Sequence, residues 1–165
     1  MPRPITAIIH QQALRHNLSV SHQCMPDSQV FAVVKANAYG HGIERVYTAL
    51  QDADGFAFLD IGEGTRLRAL GCKKPLLLLE GIFAFEDLFE CAKHEMSFAI
   101  HSLHQVQWLK QFAAIAPDVQ FDVYLKMNSG MNRLGFEPQQ YAEIWQELHQ
   151  LNTVRSITHM THFSD

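Results

Sequence analysis

The chain has 165 residues, 47% hydrophobic and 18% charged, with a formal net charge of -4, which suffices for one domain with a sizeable core and is not the composition of a disordered polymer. Lysines and arginines are scattered rather than clustered, which argues against nucleic acid as a partner. No apolar stretch reaches the length of a bilayer span, and Met1-Pro2-Arg3-Pro4 leads into a strand-like segment rather than a signal-peptide core, so a cytoplasmic protein that does not enter a membrane is expected.

Residues 5–9 alternate as a strand, and residues 12–24 carry Leu14 and Leu18 at helical spacing. A βα rhythm then sets in. Strand-like runs at 30–34, 55–59, 75–79, 97–100, 121–126 and 154–161 are separated by helical patterns at 43–50, 62–70, 85–93, 103–112 and 139–151. Such alternation implies an α/β fold with a parallel sheet and helices outside it. Right-handed crossovers allow either an open doubly wound sheet or part of a closed (β/α)8 TIM-type barrel. No GxGxxG follows the first of these strands. The nearest match, Gly62-Glu63-Gly64-Thr65-Arg66-Leu67, lacks the third glycine and lies at a helix start, so a dinucleotide fold has no support. Cys24, Cys72 and Cys91 are odd in number, widely spaced and without a Cys-x-x-Cys pair, as expected of reduced thiols.

The segment Ala32-Val33-Val34-Lys35-Ala36-Asn37-Ala38-Tyr39-Gly40-His41-Gly42 places a lysine where an apolar strand stops and a glycine-bearing turn begins. Parallel α/β folds put their chemistry at that end of a strand. A lysine amine attacks an aldehyde only in its neutral form, and an apolar strand end offers the burial that favours that form. Position alone still describes many solvated lysines. The wording VVKANAYGHG, however, closely resembles the cofactor motif of alanine racemases, pyridoxal 5'-phosphate enzymes that hold the cofactor as a Schiff base on this lysine. The resemblance implies the barrel, with Lys35 ending its first strand. It also implies that residues 1–10 hold a strand belonging to a carboxyl-terminal β domain, and that 11–165 form about six of the eight barrel strands. The family's chain is considerably longer, so two strands and the β domain have no counterpart here. A barrel so interrupted leaves two unpaired edges.

Two further stretches carry the resemblance. In Tyr124-Leu125-Lys126-Met127-Asn128-Ser129-Gly130-Met131-Asn132-Arg133-Leu134-Gly135-Phe136, two cations after a strand are in themselves ordinary surface charge. The family's pattern implies that Arg133 contacts the cofactor's phenolic oxygen and that Lys126 is carbamylated, becoming an anion that accepts paired hydrogen bonds from the guanidinium. Asn128 departs from the family's usual aspartate. In Thr158-His159-Met160-Thr161-His162-Phe163-Ser164, the histidines point to opposite faces of a strand and have no companion ligands, so no metal is expected. The resemblance implies that His162 stacks on the pyridine ring, that His159 is structural, and that Tyr39 binds the cofactor phosphate. Gly40 and Gly42 permit close backbone approach there, and His41 is structural. Asp60, Glu63 and Glu80 suit helix capping rather than catalysis. Phe83, Phe85, Phe89, Trp108 and Trp145 fall at packing positions.

The function so implied is racemisation of alanine for supply of D-alanine to bacterial cell-wall peptidoglycan, with Lys35 as one of two general bases and a homodimer as the active form. In the family the second base is a tyrosine from the carboxyl-terminal half of the partner subunit, which this sequence lacks. A truncated chain with little or no racemisation of its own is therefore expected. The alternative is a non-catalytic, single-domain pyridoxal-phosphate binding protein concerned with cofactor homeostasis.

Overall fold

The computed structural model describes residues 4–163. The expectations resting on Met1-Pro2-Arg3 and on Ser164 lie outside the described residues. In chain order the elements are α1 (Gln11–Cys24), β1 (Phe31–Val33), the single turn α2 (Lys35–Tyr39), α3 (Ile43–Tyr47), β2 (Gly55–Phe58), α4 (Ile61–Ala69), β3 (Leu76–Leu78), α5 (Asp87–Lys93), β4 (Met96–Ile100), α6 (Leu103–Ile115), β5 (Phe121–Lys126), α7 (Pro138–His149) and β6 (Val154–Met160).

The six strands form one parallel sheet in the order β1-β2-β3-β4-β5-β6. That order decides between the two architectures. A doubly wound sheet reverses direction at a switch point, whereas a barrel adds each strand beside the last; here no reversal occurs, and the sheet is an unclosed run of barrel strands with β1 and β6 at its edges.

Strands β2 and β3 are buried throughout, the near-continuous apolar pattern of a parallel sheet covered on both faces. Register sorts the faces. Phe58, Leu78, Phe98, Val123 and Ile157 are successive partners across five strands, and they pack with Leu67, Leu88, Leu109, Phe112 and Ile144 from the helices. Residues one position away, such as Ala57, Leu77 and Ser97, line the opposite, barrel-interior face. Phe98, Phe112 and Phe121 meet in tilted and edge contacts within the helix-side core.

Local signals set the helix ends. Asp60 and Glu63 form a capping box at the start of α4, and Gly71, at φ +87°, ends it while Cys72 N–H returns to the Leu67 carbonyl. Pro138 begins α7. Arg68 on α4 donates to the carbonyls of Cys72, Lys74, His94 and Glu95, tying α4 to the segments that enter β3 and β4 at the floor of the sheet.

One segment takes no regular structure here, and one packing expectation is corrected. Residues 5–9 form no strand among the described residues, and Ile5 and Ile8 are exposed; alternation makes a segment fit for a sheet, but a strand exists only where a neighbour supplies the ladder. Phe83 is 66% exposed rather than packed, because it lies in the loop before α5, outside that helix's apolar face. Cys72 and Cys91 are buried free thiols and Cys24 an exposed one; burial pushes the Cys91 thiol up to about 12, leaving it unreactive. Among the described residues no helix is long and apolar enough to cross a membrane.

Candidate active site

The carboxyl ends of the six strands share one rim of the sheet, and the candidate residues are placed there by the elements just described. Val34, 1% exposed, anchors the end of β1 through its N–H to the Ala57 carbonyl at 2.8 Å. Lys35 follows, half-buried rather than enclosed. The next four residues, Ala36, Asn37, Ala38 and Tyr39, all have φ between 52° and 55° and so make a left-handed turn without a glycine. Each such residue costs roughly 1–2 kcal/mol, so the turn persists only because other groups hold it.

Those groups can be named. Within the turn, Ala38 N–H donates to the Val34 carbonyl at 2.7 Å and Gly42 N–H to the Asn37 carbonyl at 2.9 Å. The Asn37 side-chain oxygen accepts from Ile43 N–H at 3.1 Å and from Arg66 at 2.8 Å, and Arg66 is itself gripped by both carboxylate oxygens of Glu44. From α4 the Glu63 carboxylate accepts the Asn37 N–H at 2.7 Å. Tyr39 is brought back beside Lys35, its ring centroid 6.0 Å from the lysine Nζ, with its side chain 60% exposed on the rim. His41 is structural, its Nδ1 bonded to the Ala38 carbonyl at 2.7 Å.

At the other side of the rim, Lys126, Arg133 and His162 line one recess with Asn128, Ser129 and the apolar Met127, Met131 and Leu134. Among the described residues no acidic side chain lines it, so these groups suit an anion. Arg133 is held on a loop whose neck is closed by Phe136 N–H to the Lys126 carbonyl and Asn128 N–H to the Phe136 carbonyl, both 2.9 Å. Ser129 Oγ lies 2.5 Å from Thr161 Oγ1, coupling this loop to the segment that carries His162. His159 takes no part; it bonds Tyr141 on the helix side at 2.7 Å.

Asn128 acts inside the loop. Its oxygen accepts from Gly130 and Asn132 N–H, and its amide donates to Asn132 and to Glu137 at 2.8 Å. The amide thus suits Glu137, against which an aspartate would set a second carboxylate. Asn128→Asp is expected to lower stability by about 1–2 kcal/mol, measured by urea unfolding at neutral pH.

Lys126 is 5% exposed and faces the barrel interior. Burial, and then the Arg133 charge, push its ammonium below the ordinary lysine value, with Glu80 opposing. The folded state therefore binds this proton more weakly than the unfolded chain, so Lys126 costs stability at neutral pH, and the cost fades as pH rises through the folded value towards the ordinary one. Lys126→Met is expected to stabilise the chain by about 1–2 kcal/mol at neutral pH, with a smaller gain under alkaline conditions.

Sequence reasoning placed Glu63 and Glu80 at strand ends but missed what surrounds them. Glu63 serves both its own helix and the lysine turn, and the Glu80 carbonyl accepts from His101 at 2.9 Å and from Gln105 at 3.3 Å. Burial outweighs that bond and keeps His101 below the usual histidine value. The Asp60-x-x-Glu63 spacing signals the cap; no local spacing signals a contact 26 residues distant. The structure groups Lys126, Arg133 and His162 in one recess and Lys35 with Tyr39 in one turn, on the same rim but not in one pocket. Among the described residues no group of three or more His, Cys, Asp or Glu could hold a metal ion.

Residues 9–165 match the family model for the alanine racemase N-terminal domain. The chain is 61% identical to alanine racemase of Acinetobacter baumannii (strain SDF) and 53% identical to that of Acidovorax sp. (strain JS42), in each case over all of this chain and 44% of the relative. The crystal structure of the biosynthetic alanine racemase from Pseudomonas aeruginosa superposes with a TM-score of 0.86 at 39% identity, over 93% of this chain and 42% of that one. The chain thus spans less than half the length of the relatives it matches, and it belongs to the alanine racemase N-terminal domain family.

Proposed function

We propose that this chain supplies the cofactor-bearing part of an alanine racemase, interconverting L- and D-alanine for peptidoglycan precursors in a cytoplasmic homodimer. The observation that carries the reading is Lys35, displayed at the end of β1 on a fixed turn and sharing its rim with Arg133 and His162. The donor set fits pyridoxal 5'-phosphate: a primary amine for the aldehyde, a tyrosine hydroxyl for the phosphate, and a recess with a guanidinium for the phenolic oxygen. That group, when bound, accepts the electron pair left on the α-carbon as its proton departs.

This chain's residues hold, orient and move protons. Lys35 would hold the cofactor through its Nζ, and the same amine would take or return the α-proton on one face. Tyr39 would hold the phosphate, Arg133 the phenolic oxygen, and His162 the ring. Lys126, favoured in its neutral form by burial, adds to carbon dioxide through its Nζ, releasing a proton and leaving a carbamate that accepts from Arg133. Bicarbonate should accordingly add the mass of one carbon dioxide to the chain at Lys126.

The test is proton exchange in heavy water. With pyridoxal phosphate the chain should exchange the α-proton of D-alanine faster than free cofactor does while forming little L-alanine, because Lys35 serves one face of the α-carbon. Exchange no faster than that of the free cofactor would favour the non-catalytic binding reading instead.

A further inference from the structure

The residue that connects the lysine turn to the rest of the sheet is an acid whose capping contacts leave one carboxylate oxygen for another use. Glu63 is 7% exposed, and both of its carboxylate oxygens are used. Oε2 accepts from Leu59 and Asp60 N–H, each at 3.3 Å, at the point where β2 becomes α4. Oε1 reaches across to Asn37 N–H at 2.7 Å, in the middle of the left-handed turn. One carboxylate therefore joins the end of β2 to the turn that carries Lys35.

We propose that Glu63 is a positioning residue for Lys35: its carboxylate holds the left-handed turn and so sets where the lysine amine stands on the rim. A helix cap alone needs only the α4 contacts, and Asp60 already accepts Gly62 N–H at 2.7 Å. The bond to Asn37 adds nothing to α4. It supplies an acceptor to an N–H that the left-handed winding aims away from the chain's own carbonyls, and an uncompensated N–H there would favour unwinding. From the same helix Arg66 holds the Asn37 side chain, while Glu63 alone takes the Asn37 backbone N–H. The inference rests on the reading of Lys35 as the cofactor lysine.

The test compares Glu63→Ala with Asp60→Ala, which weakens the same helix start but leaves the Asn37 bond in place. Two readouts apply: borohydride-trapped pyridoxal phosphate at Lys35, and amide hydrogen exchange of the segment 35–42 without cofactor. Glu63→Ala should slow attachment about tenfold or more and speed exchange in that segment, whereas Asp60→Ala should change neither beyond its effect on global stability. Glu63→Gln, which retains one carbonyl acceptor, should recover part of both. Equal effects of the Asp60 and Glu63 variants on both readouts would overturn the proposal. If the unaltered chain attaches no cofactor at Lys35, the reading of that lysine fails separately, and exchange alone decides: faster exchange only in Glu63→Ala supports the brace, and unchanged exchange refutes it.

Discussion

Gly81→Ala is expected to cost more than about 4 kcal/mol, a large share of a typical domain total of about 5–15 kcal/mol. Gly81 has φ +74°, and a Cβ built there lies 2.1 Å from the Ala99 carbonyl oxygen and 2.6 Å from Gln105 Nε2. Neither neighbour can yield. Ala99 is fully buried in β4, and Gln105, 1% exposed, is fixed by donating to the Ile82 carbonyl at 3.0 Å and accepting His101 N–H at 2.9 Å. Gly71→Ala is the control: its φ is +87° but nothing lies within 4 Å of the added carbon. That variant should cost only the backbone term of roughly 1–2 kcal/mol. Urea unfolding of both followed by far-ultraviolet circular dichroism measures the difference, and equal losses would show that β4 accommodates the methyl group.

Lys35→Ala is expected to abolish covalent attachment of pyridoxal phosphate while leaving stability within about 0.5 kcal/mol of the unaltered chain. Lys35 is half-buried, and its close feature is the Tyr39 ring 6.0 Å from Nζ, a weak contact at that distance. The turn that follows is held through Asn37 and backbone groups, none of which belongs to the lysine side chain. Loss of attachment with an intact fold therefore isolates the amine. A variant that still formed the visible absorbance band of the lysine-bound cofactor would move the attachment site elsewhere.

The architecture was legible in the sequence because parallel strands are buried on both faces and so stand out as short apolar runs between helical periods. The ends of β5 at Phe121 and Lys126 and the start of β6 at Val154 agree with their patterns. Pattern left doubly wound sheet and barrel open; consecutive strand pairing decides for the barrel's order. The apolar alternation at residues 5–9 describes a surface ready for a neighbour, and no local pattern states whether one is present.

At the site, the chain's wording pointed to Lys35, Lys126, Arg133 and His162, and the fold places all four on one rim. The winding of the lysine turn was not legible. Ala36, Asn37, Ala38 and Tyr39 favour ordinary backbone by their own preferences, and their left-handed form is imposed by contacts from Glu63 and Arg66, distant in sequence. Asn128 read as a lost charge; its use became visible only with Glu137, nine residues on, in hydrogen-bond reach.

Every role proposed for this rim depends on Lys35 being the residue to which the cofactor attaches. The direct measurement is borohydride reduction of the chain incubated with pyridoxal 5'-phosphate, followed by peptide mapping of every lysine and the amino terminus. A single dominant phosphopyridoxyl group is expected on the peptide bearing Lys35, lost in Lys35→Ala. Label spread over exposed lysines such as Lys93, with none enriched at Lys35, would contradict it.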